Sequence, residues 1–186
     1  MTVTTTLRRT LLASGVAVAG AALLFSPTAH AGEVETLGGM DLIEVAPYEA
    51  VEINAENVMG LLPEGKQNYV VSDPAAFDEA VESARELVGD DIRPNSISAG
   101  VSSVDGQVEL ITGAWRLDEG VPHIEIVAEG ADFGYYAQPV ALEDVDGWGT
   151  YYFDPVAAGV EGDAFTITAS DADGDVIDEI EIATGF

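Results

Sequence analysis

The sequence has no cysteine and very few cations. Without cysteine it can form neither a disulfide nor a thiolate zinc site. Only six Lys and Arg residues stand against 34 Asp and Glu residues. Phosphate backbones and anionic membrane surfaces both bind proteins through Lys and Arg residues on the protein surface. We therefore expect neither nucleic-acid binding nor binding to an anionic membrane.

The first 31 residues predict a cleavable signal peptide. Arg8 and Arg9 precede an apolar stretch, Leu11–Phe25, and Ala29-His30-Ala31 has the small-x-small pattern of a cleavage site. That stretch is about 15 residues long, short of the ~20 that a transmembrane helix needs. The adjacent arginines fit a twin-arginine export signal and an ordinary secretory signal equally well. We expect residues 32–186 to be secreted, with no membrane insertion after cleavage.

The exported part is extremely acidic. All 34 carboxylates follow Ala31, and only four of the six cations do. The hydrophobic fraction of 47% is too high for a disordered chain. Such acidity can keep a protein soluble and monomeric, suit a host that lives in high salt, or supply ligands for Ca²⁺. We favour solubility or salt adaptation and expect a monomer.

Residues 32–95 combine extended segments with one amphipathic helix, predicted over about 74–88. Asp73 suits the N-cap, Pro74 the first helical position and Gly89 the C-terminal stop. The apolar residues that repeat at helical spacing are Phe77, Ala80, Val81, Ala84, Leu87 and Val88. This pattern predicts a helix that packs against a sheet.

An irregular loop is predicted over residues 59–68, which contain two glycines and a proline. The loop contains the one lysine of the sequence, Lys66, together with Leu61 and Leu62. These three residues are candidates for contact with a partner. The alternative is that Leu61 and Leu62 belong to the core.

Residues 96–186 alternate strands with turn signals at regular spacing, which is typical of a sandwich. Four segments carry a resemblance: Val108-Glu-Leu-Ile-Thr-Gly113, His123-Ile-Glu-Ile-Val-Ala-Glu-Gly130, Gly147-Trp-Gly-Thr-Tyr-Tyr-Phe-Asp154 and Gly162-Asp-Ala-Phe-Thr-Ile-Thr-Ala-Ser-Asp-Ala-Asp-Gly174. Over about residues 100–184 the chain resembles the bacterial Ig-like modules of secreted and surface proteins. The resemblance implies an antiparallel Ig-like β-sandwich that serves adhesion, recognition or spacing. The chain departs from that family in having no cysteine pair and in having Phe165 where a corner tyrosine would stand.

The sequence therefore predicts a mainly β protein in three parts: the signal peptide 1–31, a strand, loop and helix region 32–95, and an Ig-like sandwich 96–186.

Aromatic residues are the main binding candidates, since exposed Trp and Tyr are typical anchors and can stack on sugars. The candidates are Trp115, Tyr135, Tyr136, Trp148 and Tyr151. Strand alternation predicts that half of such residues face the core.

A calcium site is the one cofactor site that the sequence suggests. Asp171, Asp173 and Asp175 place three carboxylates at alternate positions. An EF-hand loop needs glycine at its sixth position and glutamate at its twelfth, where this chain has Val176 and Ile182. The segment is therefore not an EF-hand. It predicts either a looser Ca²⁺ site or a solvated hairpin turn.

Catalysis is not predicted. His123 is the one imidazole after the signal peptide, and no nucleophile motif surrounds Ser102 or Ser103. We expect a secreted, non-catalytic, acidic binding or surface-associated protein, whose partner is a secreted protein, the cell wall or a polysaccharide. The main alternative is a proteinaceous inhibitor of a secreted hydrolase. A small-molecule carrier and a hydrolase are the remaining alternatives.

Overall fold

The computed structural model describes residues 35–37, 41–64, 68–86 and 92–184, with the backbone alone for 35–37 and for residue 68. The predicted signal peptide lies outside these residues. The described chain is mainly β. Its strands are β1 Glu35–Leu37, β2 Ile43–Val45, β3 Val51–Glu52, β4 Val58–Leu62, β5 Asn68–Ser72, β6 Ser96–Ile97, β7 Gly100–Val104, β8 Gln107–Arg116, β9 His123–Ala128, β10 Phe133–Tyr136, β11 Gln138–Leu142, β12 Trp148–Phe153, β13 Ala164–Ser170 and β14 Val176–Ala183. Its helices are α1 Phe77–Arg85 and α2 Pro155–Ala158.

The strands form three sheets. The outer sheet has the order β1-β10-β9-β13-β14, and the central sheet has the order β2-β11-β12-β8-β6, with β7 also paired to β8. The small sheet has the order β3-β4-β5. Pairing is antiparallel throughout, except that β1 runs parallel to β10 and β2 runs parallel to β11. None of the described helices is long and apolar enough to cross a membrane.

The main core lies between the outer sheet and the central sheet. Strands β9 and β13 contribute Ile124, Ile126, Phe165 and Ile167, which alternate with polar or partly exposed neighbours. The central sheet contributes Ile111, Trp115, Tyr151 and Phe153. Because successive strand residues point to opposite faces, this pattern buries one face of each sheet against the other.

A second core covers the other face of the central sheet. Met59 and Leu61 of β4 pack there with Val140, Leu142 and Trp148. The central strand β12 is consequently buried on both faces, which explains its nearly continuous apolar sequence. Helix α1 covers the outer side of the small sheet: a Cβ atom on Gly60 would lie 2.5 Å from the Phe77 ring.

The predicted helix is confirmed over its described part. Asp73 caps the first turn, accepting a hydrogen bond from the backbone N–H of Ala75 at 2.8 Å. A 3-10 turn over Pro74–Ala76 leads into α1, whose buried residues are Val81 and Ala84. The predicted end of the helix at Leu87, Val88 and Gly89 lies outside the described residues.

Alternation in the last strand predicts that Val176, Ile180 and Ile182 point inward, and for Val176 this prediction is wrong. This side chain is 63% exposed, and the next residue, Ile177, packs against the main core instead. The pairing between β13 and β14 shifts register between Ala169 and Ser170, so one extra residue enters β14. Such a bulge reverses the alternation on its far side. Beyond it, Ile182 is buried as predicted.

Candidate functional site

A cleft of about 620 Å³ opens at one end of the two larger sheets. It lies where the β8–β9 connection and the β11–β12 connection meet beside strand β2. Its apolar wall includes Leu42, Trp115, Val121 and Ala141, and its carboxylates are Glu44, Asp118, Glu119, Asp144 and Asp146. We call this site the acidic cleft.

Backbone hydrogen bonds fix the two connections that form the rim. The N–H of Leu117 donates to the carbonyl of Gly147 at 3.0 Å, which ties one connection to the other. Asp118 is held by Asn95: the Asn95 amide donates to Asp118 Oδ2 at 3.0 Å, and the Asp118 N–H donates to Asn95 Oδ1 at 3.1 Å. Asp144 has a φ of 59°, a left-handed conformation that aspartate tolerates better than most residues. The rim carboxylates are therefore presented by a defined backbone.

The cleft is strongly electronegative. All five of its carboxylate residues are exposed, and no Lys, Arg or His is among the residues that line it in the described part of the chain. The neighbouring cation, Arg116, points to the opposite face of β8 and donates from Nη1 to the carbonyl of Ile92 at 3.2 Å. Clustered like charges with apolar walls behind them attract a cation.

Trp115 has an unusual environment in the acidic cleft. Its side chain is 2% exposed, and its Nε1–H has no hydrogen-bond acceptor among the described residues. The indole lies across Gly149, where a Cβ atom would be 2.5 Å from the Trp115 ring. Buried indole N–H groups usually have a partner, and one without a partner costs about 1–3 kcal/mol. The Trp115 N–H is therefore an unsatisfied buried donor.

The other predicted aromatic candidates do not join Trp115 on one surface. Tyr151 lies in the main core, and Trp148 lies in the second core on the other face of the central sheet. Tyr135 and Tyr136 are half-buried on β10. The Tyr135 ring packs against Phe133 and Phe153, with centroid distances of 5.5 and 5.4 Å. Strand alternation separates these rings, and of the predicted aromatics only Trp115 lines the acidic cleft.

The predicted loop over 59–68 is wrong for residues 59–62, which belong to strand β4. Leu61 and Leu62 are both 0% exposed, so the core alternative is correct and neither can contact a partner from the surface. Strand β4 is the middle strand of the small sheet and is covered on both faces. Lys66 lies outside the described residues.

The three aspartates of the predicted calcium segment form a hydrogen-bonded turn. Asp171 Oδ1 accepts from the backbone N–H of Asp173 at 3.0 Å and from that of Asp175 at 2.9 Å. No group of three side chains that could hold a metal ion occurs within the described residues. The carboxylates of Asp171, Asp173 and Asp175 therefore do not converge on one point, and the hairpin-turn alternative describes this segment.

A smaller cavity of about 340 Å³ lies beside the acidic cleft, across the segments 41–42 and 121–122. It is lined by Asp41, His123, Tyr136 and several apolar residues. The His123 and Tyr136 rings form an edge contact with centroids 6.0 Å apart. No serine is among its described lining residues, and Ser102 and Ser103 lie on β7, in the central sheet. The cavity thus brings no described nucleophile to His123.

No family model, curated protein or solved structure matches the chain. The case for a function therefore depends on the geometry of the acidic cleft. Sequence reasoning missed its rim residues. The sequence feature that could have indicated the rim is a pair of short acidic turns, Asp118-Glu-Gly120 and Glu143-Asp-Val-Asp-Gly147. Each turn adjoins a strand that contains a tryptophan.

Proposed function

We propose that this chain is a secreted, non-catalytic binding protein that holds a positively charged partner in the acidic cleft. The observation that carries the proposal is the set of five exposed carboxylate residues that line a cleft of about 620 Å³ with an apolar wall. An electronegative cleft with apolar walls has two usual elements of a ligand site. Its volume lies within the range of about 300–1,000 Å³ that is common for such sites.

The chemistry of the cleft supports binding rather than catalysis. A hydroxyl, thiol or amine nucleophile would be Ser, Thr, Cys or Lys beside a base, and none of these lines the cleft among the described residues. Hydrolysis of a glycoside needs one carboxyl group that is kept protonated by an apolar environment. The carboxylates of the cleft are instead exposed to water.

An Ig-like sandwich is part of this proposal. The four segments that carry the resemblance fall on β8, β9, β12 and β13, together with the turns that follow them. The two larger sheets also share one core, as in sandwiches. Secreted modules of that kind commonly serve recognition. The proposal therefore includes surface association through a protein, the cell wall or a polysaccharide.

The test is a pull-down from the culture supernatant and the cell-wall fraction of the producing organism, with residues 32–186 as bait. A cleft variant carries Glu119→Gln and Asp146→Asn. A control variant carries Glu129→Gln and Asp105→Asn, which remove two charges in turns at the other ends of β9 and β8. Because both variants have the same net charge, non-specific attraction of cations affects them equally.

We expect the wild type and the control to retain a partner stoichiometrically and the cleft variant to retain much less. Equal retention by all three proteins would contradict the assignment of the cleft. If the retained partner is a secreted hydrolase that loses its activity, the protein is an inhibitor that acts through this cleft.

A further inference from the structure

The smaller cavity lies beside a face of the outer sheet that points away from the main core. Its accessible surface comes mainly from Asp41, His123 and Tyr136, because its other described lining residues are buried: Pro122, Ile124, Ala137 and Pro139. The cavity thus combines two aromatic side chains and one acidic residue with an apolar lining. Its volume of about 340 Å³ is near the lower end of the range of about 300–1,000 Å³ for ligand sites, so it suits a small group such as a single ring.

The register of the outer sheet brings further polar side chains beside this cavity. On β9, His123 and Glu125 alternate with buried core residues and therefore point outward. Tyr136 of β10 pairs with Glu125 on one side. On the other side, Ser170 and Thr168 of β13 pair with His123 and Glu125, and both β13 residues are half-buried rather than covered. These five residues form one surface, which we call the outward face.

The polar groups of the cavity and the outward face include both donors and acceptors of hydrogen bonds. Imidazole and hydroxyl groups each donate and accept, whereas ionised carboxylates only accept. The outward face has one imidazole and three hydroxyl groups, on His123, Tyr136, Ser170 and Thr168. An anion would use donors alone, and a chain with 34 Asp and Glu residues against six Lys and Arg residues would repel it. A cation would use acceptors alone. The mixed set instead matches a neutral ligand whose own groups both donate and accept.

We infer that the smaller cavity and the outward face bind a neutral polysaccharide chain. Each hydroxyl of a sugar both donates and accepts, and the C–H groups on the faces of a sugar ring pack against aromatic rings. One sugar ring occupies the cavity beside Tyr136 and His123, and its neighbours extend across β9 toward Thr168. The distance from β10 to β13 is two inter-strand spacings, about 10 Å, which exceeds the width of one sugar ring. The inference rests on the surface association that the proposed function includes, but not on the acidic cleft.

Nuclear magnetic resonance can test this inference, because His123 is the one histidine in residues 32–186 and its imidazole gives one Cε1–Hε1 signal. The probes are four neutral hexasaccharides with different linkages or units: cellohexaose, chitohexaose, maltohexaose and laminarihexaose. Hexaglucosamine, the deacetylated form of chitohexaose, is the cationic control. Tyr136→Ala removes a ring that lines the cavity. Its matched control is Phe133→Ala, which removes an exposed ring of the same strand that is not among the described lining residues.

We expect at least one neutral hexasaccharide to shift the His123 signal and to bind there more tightly than hexaglucosamine and than its own disaccharide. Tyr136→Ala should weaken this binding by about tenfold or more, as the loss of an aromatic anchor does, and Phe133→Ala should leave it unchanged. Thr168→Val should weaken the hexasaccharide but not the disaccharide, because only the longer chain reaches β13. The cleft variant should bind the neutral probes as the wild type does.

The inference is overturned if none of the four neutral hexasaccharides shifts the His123 signal. Tighter binding of hexaglucosamine would overturn it too, because the site would then recognise charge. If the amide spectrum shows that Tyr136→Ala does not fold, His123→Ala takes its place, since His123 is exposed. Loss of one hydrogen bond should then weaken the hexasaccharide roughly 2–12-fold, as read from backbone amide shifts, and unchanged binding would contradict the site.

The cleft variant separates this inference from the proposed function. If it loses the neutral sugar that the wild type binds, the sugar lies in the acidic cleft and the placement in the smaller cavity is wrong. If the wild type binds no neutral sugar while the cleft variant still loses its partner in the pull-down, the cleft assignment stands and this inference fails. If the sugar binds at His123 while the cleft variant retains its pull-down partner, this inference stands and the cleft assignment fails.

Discussion

Replacing Tyr151 with phenylalanine should measurably destabilise the protein, because it removes one buried hydroxyl and little else. Tyr151 is 0% exposed, and its hydroxyl donates to the carbonyl of Ser98 at 2.6 Å. The variant keeps the ring that fills the space above Gly113 but leaves the Ser98 carbonyl without this donor. Such an orphaned group costs about 1–3 kcal/mol. With a change in melting temperature of about 2–4 °C per kcal/mol for a chain of this size, a loss of about 2 kcal/mol lowers it by about 4–8 °C.

The pH dependence of this loss follows from the same burial. Burial raises the pKa of Tyr151 well above its ordinary value, and negative charge on Tyr69 or Asp178 raises this pKa further. In the unfolded chain the phenol titrates near its ordinary pKa of about 10. The stabilising contribution of the Tyr151 hydroxyl is therefore complete below pH ~10 and is lost as the pH rises from there toward the folded-state pKa. Burial also raises the pKa of Tyr69 and Tyr152, so both proteins lose stability in alkali.

The assay is urea unfolding followed by circular dichroism at several pH values from 7 to about 10.5, a range that brackets the tyrosine pKa. The difference in unfolding free energy between the wild type and Tyr151→Phe should be constant up to pH 9 and should shrink above pH 10. Tyr135→Phe is the matched control, because the Tyr135 hydroxyl makes no hydrogen bond within the described part of the chain. Equal stability of the wild type and Tyr151→Phe at pH 7 would refute the reasoning, as would a difference that does not change with pH.

Three further predictions concern the fold and the aspartate turn. Gly113→Ala should cost more than about 3 kcal/mol in unfolding experiments, because its Cβ would lie 2.1 Å from the Ser98 carbonyl; Gly100→Ala, whose nearest neighbour is 3.7 Å away, should be tolerated, and equal effects would contradict the packing. Asp73→Ala should lose about 1 kcal/mol of stability through the helix cap, whereas Asp73→Asn should retain most of it, and thermal melts of both variants check this. Asp171→Ala should lower the melting temperature equally with Ca²⁺ and with a chelator, since the Asp171 carboxylate accepts hydrogen bonds from two N–H groups of the turn. If Ca²⁺ stabilises the wild type but not the variant, the segment is a metal site instead.

Local sequence signals predicted those elements whose conformation is determined by the residues of the element itself. Asp73 and Pro74 specify the start of the helix through a cap and a fixed φ, and the strict alternation of β13 specifies one buried face. The same kind of signal was missed for α2, where Asp154 caps the first turn and Gly159 ends the helix in a left-handed conformation.

Tertiary partners could not be predicted from the same patterns. Gly60 and Pro63 in the sequence suggested a loop, but β4 is a strand because β3, β5 and α1 surround it. Alternation predicted that half of the aromatics would be buried, but not that both Trp115 and Trp148 would be. Both are buried because the central sheet has a core on each face. The acidic cleft combines two connections that are separated by three strands in the sequence, so only the sheet pairing brings its carboxylates together.

The most direct test of the binding site is photo-crosslinking from the cleft itself. Val145 is 37% exposed and lines the cleft, whereas Val104 is 54% exposed at the end of β7, where it pairs with the first residue of β8. Each is replaced in turn with p-benzoylphenylalanine, and the protein is irradiated in the producer's supernatant and with its cell-wall fraction. We expect a discrete adduct from Val145 and no such adduct from Val104. Adducts that are the same from both positions, or none from Val145, would contradict this expectation.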